Sequence, residues 1–291
     1  MYRLEIKSPA KLNLYLQVIK KRKDGYHELI TLFERIDLFD RIVLEKARKI
    51  ELLVYGREVP RGKDNLAYRS AEFLSQKLGK TLGVRMKIFK KIPPGGGLGG
   101  GSSNAASVLL GLNQLYELGL RREELFSLGK DLGADVNFFL SGENFALGYG
   151  RGERISRLEI KTRLWHLLIY PGFSISTREI YAGISEIGLT KGAPDVKILI
   201  EYLEKRDLEK AGKLFFNSLE PVVWKKYPFL YSWKKKLLKT PAKAVLLSGS
   251  GSSIFALYPR RKEVEEIERE WKKIKGGGEL FIVSTDCSAS E

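Results

Sequence analysis

Residues 93–104 read Pro-Pro-Gly-Gly-Gly-Leu-Gly-Gly-Gly-Ser-Ser-Asn, with six glycines in the seven positions 95–101. Before them, residues 83–92 alternate apolar and polar, the pattern of a strand. After them, Ala105, Val108, Leu109, Leu112 and Leu115 mark one face of a helix expected over residues 102–118. A backbone stripped of side chains can bring successive N–H groups against an anion and can take positive φ. The helix that follows offers unpaired N–H groups and the positive end of its dipole. Ser102, Ser103 and Asn104 are natural caps, and their side chains can also meet phosphate oxygens or a phosphate-bound Mg²⁺. A flexible linker would rarely be bounded so tightly by a strand and a periodic helix. The expected anion-binding stretch is therefore Pro93, Pro94, Gly95, Gly96, Gly97, Leu98, Gly99, Gly100, Gly101, Ser102 and Ser103.

Three common phosphate scaffolds do not fit this loop. A Walker A motif needs lysine where Ser102 stands. Gly95, Gly97 and Gly100 do satisfy G-x-G-x-x-G, but a run this rich in glycine matches almost automatically. The repeating βαβ context of a dinucleotide fold is also missing. The lysine, H-R-D and D-F-G set of protein kinases is absent.

Composition mainly excludes. The 291 residues carry 51 Lys+Arg against 35 Asp+Glu, a net charge of +16. That excess fits an anionic partner (nucleic acid, a membrane surface or a phosphorylated small molecule) and equally fits a soluble, heat-adapted surface. Hydrophobic content of 43% and charged content of 30% describe a globular chain, not a disordered one. Cys287 is the only cysteine, so an intrachain disulfide or a thiolate metal cluster is excluded. With only His27 and His166, a multi-histidine metal site is disfavoured, and no metal ligands are assigned. No secretory h-region and no apolar run of ~18 residues is present, so a cytoplasmic protein without a membrane partner is expected.

Strand patterns are expected over residues 2–7, then, past a Ser8-Pro9-Ala10 interruption, over 12–18, and again near 41–46 and 50–55. Lys23-Asp24-Gly25 reads as a turn. Asp64-Asn65 opens a helix, and residues 122–131 form another. Gly133-Ala134-Asp135 starts a short helical run, and residues 145–149 return to strand. Helices are expected over 177–187, 195–205, 207–218, 228–239 and 262–274. Strands are expected over 167–170, 244–247, 254–258 and 279–284, with a Gly/Ser loop at 248–252. Strands and helices interleave without a βαβ repeat, so the fold class is α+β. A boundary near residue 155 divides the chain into 1–155 and 156–291.

Single residues carry two readings at this stage. Asp135, at a helix start, is a sufficient N-cap or a base for a hydroxyl. Lys11 is a solvated strand lysine or a cation lining a cleft, and Asn13 shares its strand face. Tyr26 after the turn packs on the core or stacks on a base, and His27 is a surface residue or reads that base's edge. His166, beside Trp165 in an apolar strand, is structural. The basic runs 20–23 and 234–236 are solvated faces.

Ser8-Pro9-Ala10-Lys11-Leu12-Asn13-Leu14, the 93–106 segment and Leu247-Ser248-Gly249-Ser250-Gly251-Ser252-Ser253 together resemble the GHMP kinases. Asp24-Gly25-Tyr26-His27-Glu28-Leu29 and Leu132-Gly133-Ala134-Asp135-Val136 narrow the resemblance. They point to the members that phosphorylate a cytidine-diphosphate-linked methylerythritol in non-mevalonate isoprenoid synthesis. The resemblance implies two domains, one like domain 2 of ribosomal protein S5 and one ferredoxin-like, with ATP, Mg²⁺ and a nucleotide-diphosphate substrate in the cleft between them. It implies that Lys11 and Asp135 are catalytic and that Asn65, Lys90 and the glycine loop hold ATP. It places Asn13, Tyr26, His27, Thr177, Tyr181, Gly249 and Gly251 on the substrate. Homoserine- or mevalonate-type kinases, and a basic nucleic-acid-binding protein, are the rival readings; oligomeric state is not legible.

Overall fold

The computed structural model describes residues 3–188 and 192–286, the side chains of 185–187 aside. Cys287 lies outside the described residues. Two sheets organise the chain. The first has seven strands. Its centre is a long antiparallel pair, β1 (Arg3–Lys21) and β2 (His27–Lys46). Ser8-Pro9-Ala10 does not break β1, contrary to expectation. The chain absorbs Pro9 with a register shift between Pro9 and Ala10, the kind of bulge at which proline is tolerated in a sheet. Likewise the alternation expected over 41–46 is only the second half of β2.

β2 is shared lengthwise. Its second half pairs with β4 (Val84–Lys90), which β3 (Glu51–Gly56) joins in parallel. Its first half pairs with β5 (Phe145–Gly150), followed by β6 (Arg154–Leu158). β6 was not expected, and it carries the first sheet across the boundary placed at residue 155.

Four helices cover one face of this sheet: α1 (Leu66–Leu78), α2 (Gly100–Leu115), α3 (Arg122–Leu132) and α4 (Val136–Ser141). α2 buries Ala105, Val108, Leu109 and Leu112, the face read from the sequence. It starts at Gly100, two residues before the expected start, inside the glycine loop.

The second sheet is antiparallel throughout, in the order β11 (Glu279–Ser284), β7 (Trp165–Tyr170), β10 (Ile254–Tyr258) and β9 (Ala244–Leu247). Helices α5 (Thr177–Ile187), α8 (Glu220–Lys226), α9 (Pro228–Leu237) and α10 (Arg261–Lys272) supply its apolar partners. α6 (Val196–Glu204) packs between the sheets with α7 (Leu208–Gly212). The helix expected over 207–218 is corrected: α7 ends at Gly212, and β8 (Phe216–Asn217) adds a parallel edge beside Tyr15 and Leu16 of β1. α8 was also missed, because Pro221 interrupts the pattern; as an N1/N2 residue it is instead compatible with a helix start.

One core cluster joins Leu12, Leu14 and Leu32 of the first sheet to Leu168, Phe255 and Leu257 of the second. The two sheets thus share buried apolar area. No helix among the described residues is long and apolar enough to cross a membrane.

Candidate active site

The site is built on β1. Its two-residue period puts Lys11 and Asn13 on one face, opposite Leu12 and Leu14. Both polar side chains are buried, yet both are partnered. Lys11 Nζ donates to Asn13 Oδ1 at 2.5 Å, Asn13 Nδ2 donates to Thr31 Oγ1 at 2.7 Å, and Thr31 Oγ1 donates to the Tyr15 carbonyl at 2.7 Å. This chain fixes the lysine's direction. Its Nζ lies 3.6 Å from Asp135 Oδ2, with side-chain exposures of 4% and 28%. Burial lowers the Lys11 pKa, and the Asp135 charge opposes that shift. Asp135 immediately precedes α4, but its side chain makes no capping bond. Its carboxylate instead stands partly exposed beside Lys11, and the simple N-cap reading fails.

The glycine loop is held by its carbonyls. Tyr170 Oη and Ser174 Oγ donate to the Pro94 carbonyl, at 3.3 and 3.0 Å. Ile175 N donates to Gly95 O at 3.3 Å, Ser253 N to Gly96 O at 3.2 Å, Ser248 Oγ to Gly97 O at 2.9 Å and Lys11 N to Leu98 O at 3.0 Å. Five consecutive carbonyls are thus occupied by groups from β1 and from the second half of the chain. Among the described residues no N–H of residues 95–99 donates to the protein. Gly97, at φ 75°, shows why this position lacks a side chain: a Cβ there would stand 1.9 Å from the Ser248 carbonyl oxygen.

The Gly/Ser loop of residues 248–252 reaches the same centre. A Cβ at Gly249 would lie 3.3 Å from Lys11 Nζ and 3.2 Å from Asn13 Oδ1. Asn217 Nδ2, unremarked in the sequence, pins this loop by donating to the Leu247 and Gly249 carbonyls, each at 2.8 Å. Gly251 packs on Leu247 and Ile175, one step further from Lys11.

A second group gathers beside the turn after β1. His27 and Tyr181 bring their rings to 5.2 Å between centroids, one from each half of the chain. Burial and the charge of Lys21 push the His27 pKa down. Burial, then the Asp135 charge, raises that of Tyr181. Tyr26 is exposed at 55%, with the Arg151 guanidinium 4.8 Å from its ring centroid. Thr177 Oγ1 and Ser250 Oγ are 2.8 Å apart, so Thr177 meets the Gly/Ser loop.

The remaining expected residues lie on the loop's other side. Asn65 caps α1 by accepting from Ala67 N at 2.9 Å, while its Nδ2 donates to the Pro60 carbonyl at 2.8 Å. Beside it is a cavity of about 370 Å³ lined by Val54, Gly56, Arg57, Glu58, Val59 and Arg61. Lys90 is buried, in an ion pair with Asp40 and donating to Asn104 Oδ1 at 3.0 Å. Lys90 is thus set apart from the chain's many surface lysines. Ser102 is half-buried, whereas the Ser103 hydroxyl is buried 2.7 Å from Ser8 Oγ. Asp40 had a readable signal: it shares the alternation of Leu38, Ile42 and Leu44, which puts a carboxylate on the core face of β2. His166 is structural as expected, with Nε2 2.8 Å from Glu34 Oε2. No group of three or more His, Cys, Asp or Glu poised for a metal occurs among the described residues.

Known proteins match this chain in sequence and in fold. The profile of the GHMP kinases N terminal domain matches residues 65–143, and that of the GHMP kinases C terminal matches residues 199–276. The chain is 39% identical to a 4-diphosphocytidyl-2-C-methyl-D-erythritol kinase of Carboxydothermus hydrogenoformans, over 95% of this chain and 94% of that protein. It is 40% identical to the enzyme of that name from Geobacter sp. strain M21, over 95% and 97%. A crystal structure of a 4-(cytidine 5'-diphospho)-2C-methyl-D-erythritol kinase superposes with a TM-score of 0.80 at 35% identity, covering 97% of this chain and 98% of that one. By these matches over nearly its whole length, the chain belongs to the 4-diphosphocytidyl-2-C-methyl-D-erythritol kinase family of the GHMP kinases, which are phosphotransferases.

Proposed function

We propose that the protein transfers the γ-phosphoryl group of ATP to the tertiary 2-hydroxyl of 4-diphosphocytidyl-2-C-methyl-D-erythritol. The observation that carries this is the glycine loop. Its carbonyls are turned to protein partners, which leaves its N–H groups and the start of α2 available to an anion such as a phosphate. The 370 Å³ cavity lined by residues 54–61, the stretch whose Pro60 carbonyl Asn65 holds, has room for a purine. Arg57, in the lining of that cavity, donates to the Lys91 carbonyl at 2.8 Å, two residues before the glycine loop.

On the acceptor side, Tyr26, His27 and Tyr181 offer ring faces and ring nitrogens for a cytosine. Thr177 and Gly249 line the path from those rings to Lys11. Asp135 Oδ orients the acceptor hydroxyl and takes its proton as the oxygen attacks. Phosphoryl transfer has a loose transition state, so orientation matters more than early deprotonation. Lys11, 3.6 Å from Asp135, holds that carboxylate in place and balances charge on the transferring group. The new O–P bond forms as the bond from the γ-phosphorus to ADP breaks.

The donor set also fits Mg²⁺ carried on the nucleotide. Mg²⁺ needs only one or two protein oxygens beyond phosphates and water, and Ser102 Oγ and the Asp135 carboxylate would supply them. The ion would neutralise phosphate charge. Phosphorus NMR of the product tests the reading: a new phosphomonoester on the tertiary carbon of the acceptor is expected. Phosphate on any other hydroxyl, or a cleaved diphosphate, would contradict it.

A further inference from the structure

Asp40 is fully buried on β2, and it meets both ends of the glycine loop. At the near end, its Oδ1 accepts from Lys91 N at 2.7 Å and Ile92 N at 3.0 Å, and its Oδ2 accepts from Lys90 Nζ. At the far end, Oδ2 accepts from Asn104 Nδ2 at 2.9 Å. Asn104 also accepts from Lys90 at 3.0 Å and donates to Ser8 Oγ at 2.9 Å. A single carboxylate therefore closes residues 93–103 into a ring with four hydrogen bonds.

This matters because glycine loops are entropically expensive to hold in one shape. The loop's middle is fastened through its carbonyls to the second half of the chain. Its ends depend on Asp40. Lys90 Nζ sits 3.2 Å from where a Cβ of Gly100 would be, directly beneath the first turn of α2. Without its carboxylate, this buried ammonium would face the positive end of α2 with no counter-charge.

We infer that Asp40 is a positioning residue for the phosphoryl donor, fixing the two ends of the glycine loop and the Lys90 ammonium without touching the acceptor. The inference rests on the reading that this loop takes ATP. Asp40→Asn keeps the shape and can still accept from Lys91 N and Ile92 N. Its amide N–H groups, however, would oppose Lys90 and Asn104, which are donors.

The test is steady-state kinetics with ATP and acceptor varied separately, on protein shown to be folded by circular dichroism. Asp40→Asn should raise the KM for ATP at least fivefold, leave the acceptor KM within twofold, and leave kcat at saturating ATP within threefold. Asn104→Ala removes the far-end bond to Asp40, with the bonds to Lys90 and Ser8, while leaving those of Lys91 N and Ile92 N, and should show the same split; it also serves if Asp40→Asn does not fold. An ATP KM that stays below fivefold in the folded variants, or both KM values rising together, would overturn the inference. Gly101→Leu separates this from failure of the ATP reading. Gly101 is exposed, and a Cβ there meets only Leu66, at 3.5 Å. That variant should raise the ATP KM; if it raises the acceptor KM instead, the loop is not the donor site.

Discussion

Lys11 Nζ and Asp135 Oδ2 stand 3.6 Å apart, one on the central strand of the first sheet and the other at the head of a one-and-a-half-turn helix. The lysine is nearly inaccessible and the aspartate partly open. That asymmetry fits a cation that stays in place and a carboxylate that meets a substrate. Asp135→Asn should lower kcat about a thousandfold, the middle of the range for general acid–base catalysis. Lys11→Ala should cost a similar factor. In both, nucleotide affinity measured by calorimetry should stay within about threefold, since the loop N–H groups are untouched. Normal turnover by Asp135→Asn would remove Asp135 from the chemistry.

A pH dependence follows from the same pair. The active form has Lys11 charged. Burial lowers its pKa from 10.5, so the proton leaves at a pH below that of an ordinary lysine. Activity should therefore fall on the alkaline side beginning below pH 10.5. Asp135 opposes the shift, so residual activity of Asp135→Asn should fall at still lower pH. Lys11→Arg should move the alkaline limb upward or abolish it. A limb that does not move in either variant would mean another group titrates.

Much of this was legible in the sequence, for identifiable reasons. Strand period places Lys11 and Asn13 together, and the glycine run falls between a strand and a helix as its flanking patterns predict. The start of α1 at Asn65 and the face of α2 also follow from local pattern. What failed involved tertiary partners. Pro9 reads as a break because its cost is local, whereas the bulge that accommodates it comes from pairing with β2. β8 is two residues long and exists only because β1 lies beside it. The His27–Tyr181 contact joins two halves of the chain that no local pattern connects. The +16 charge pointed at no site: Lys11 and Lys90, the two lysines that matter most here, are each matched by a buried or half-buried carboxylate.

The nucleobase end can be tested by removing a ring. Stacking on an aromatic contributes about 1–3 kcal/mol per base, or about 5- to 150-fold in affinity. Tyr181→Leu should raise the acceptor KM within that range and leave the ATP KM unchanged. Tyr26→Ala should do the same, and should also free Arg151 from its place over the ring. An ATP effect in either variant would place the base-reading group on the wrong substrate.

The joint between the sheets gives a stability prediction. His166 Nε2 and Glu34 Oε2 are 2.8 Å apart with both side chains fully buried, and His166 Nδ1 has no hydrogen-bond partner. The ring therefore donates from Nε2. His166→Leu would leave Glu34 Oε2 without that donor, and stability should fall by about 3 kcal/mol. Denaturant unfolding should show a lower midpoint, and kcat at 25 °C should be little changed.

The central claim is that an ATP-dependent kinase acts on one cytidine-linked alcohol. A coupled assay of ADP release with Mg²⁺-ATP and a panel of 4-diphosphocytidyl-2-C-methyl-D-erythritol, homoserine and mevalonate addresses it directly. Turnover is predicted with the first alone, lost with Asp135→Asn. ADP release with homoserine or mevalonate, or none with the cytidine-linked alcohol, would contradict the account.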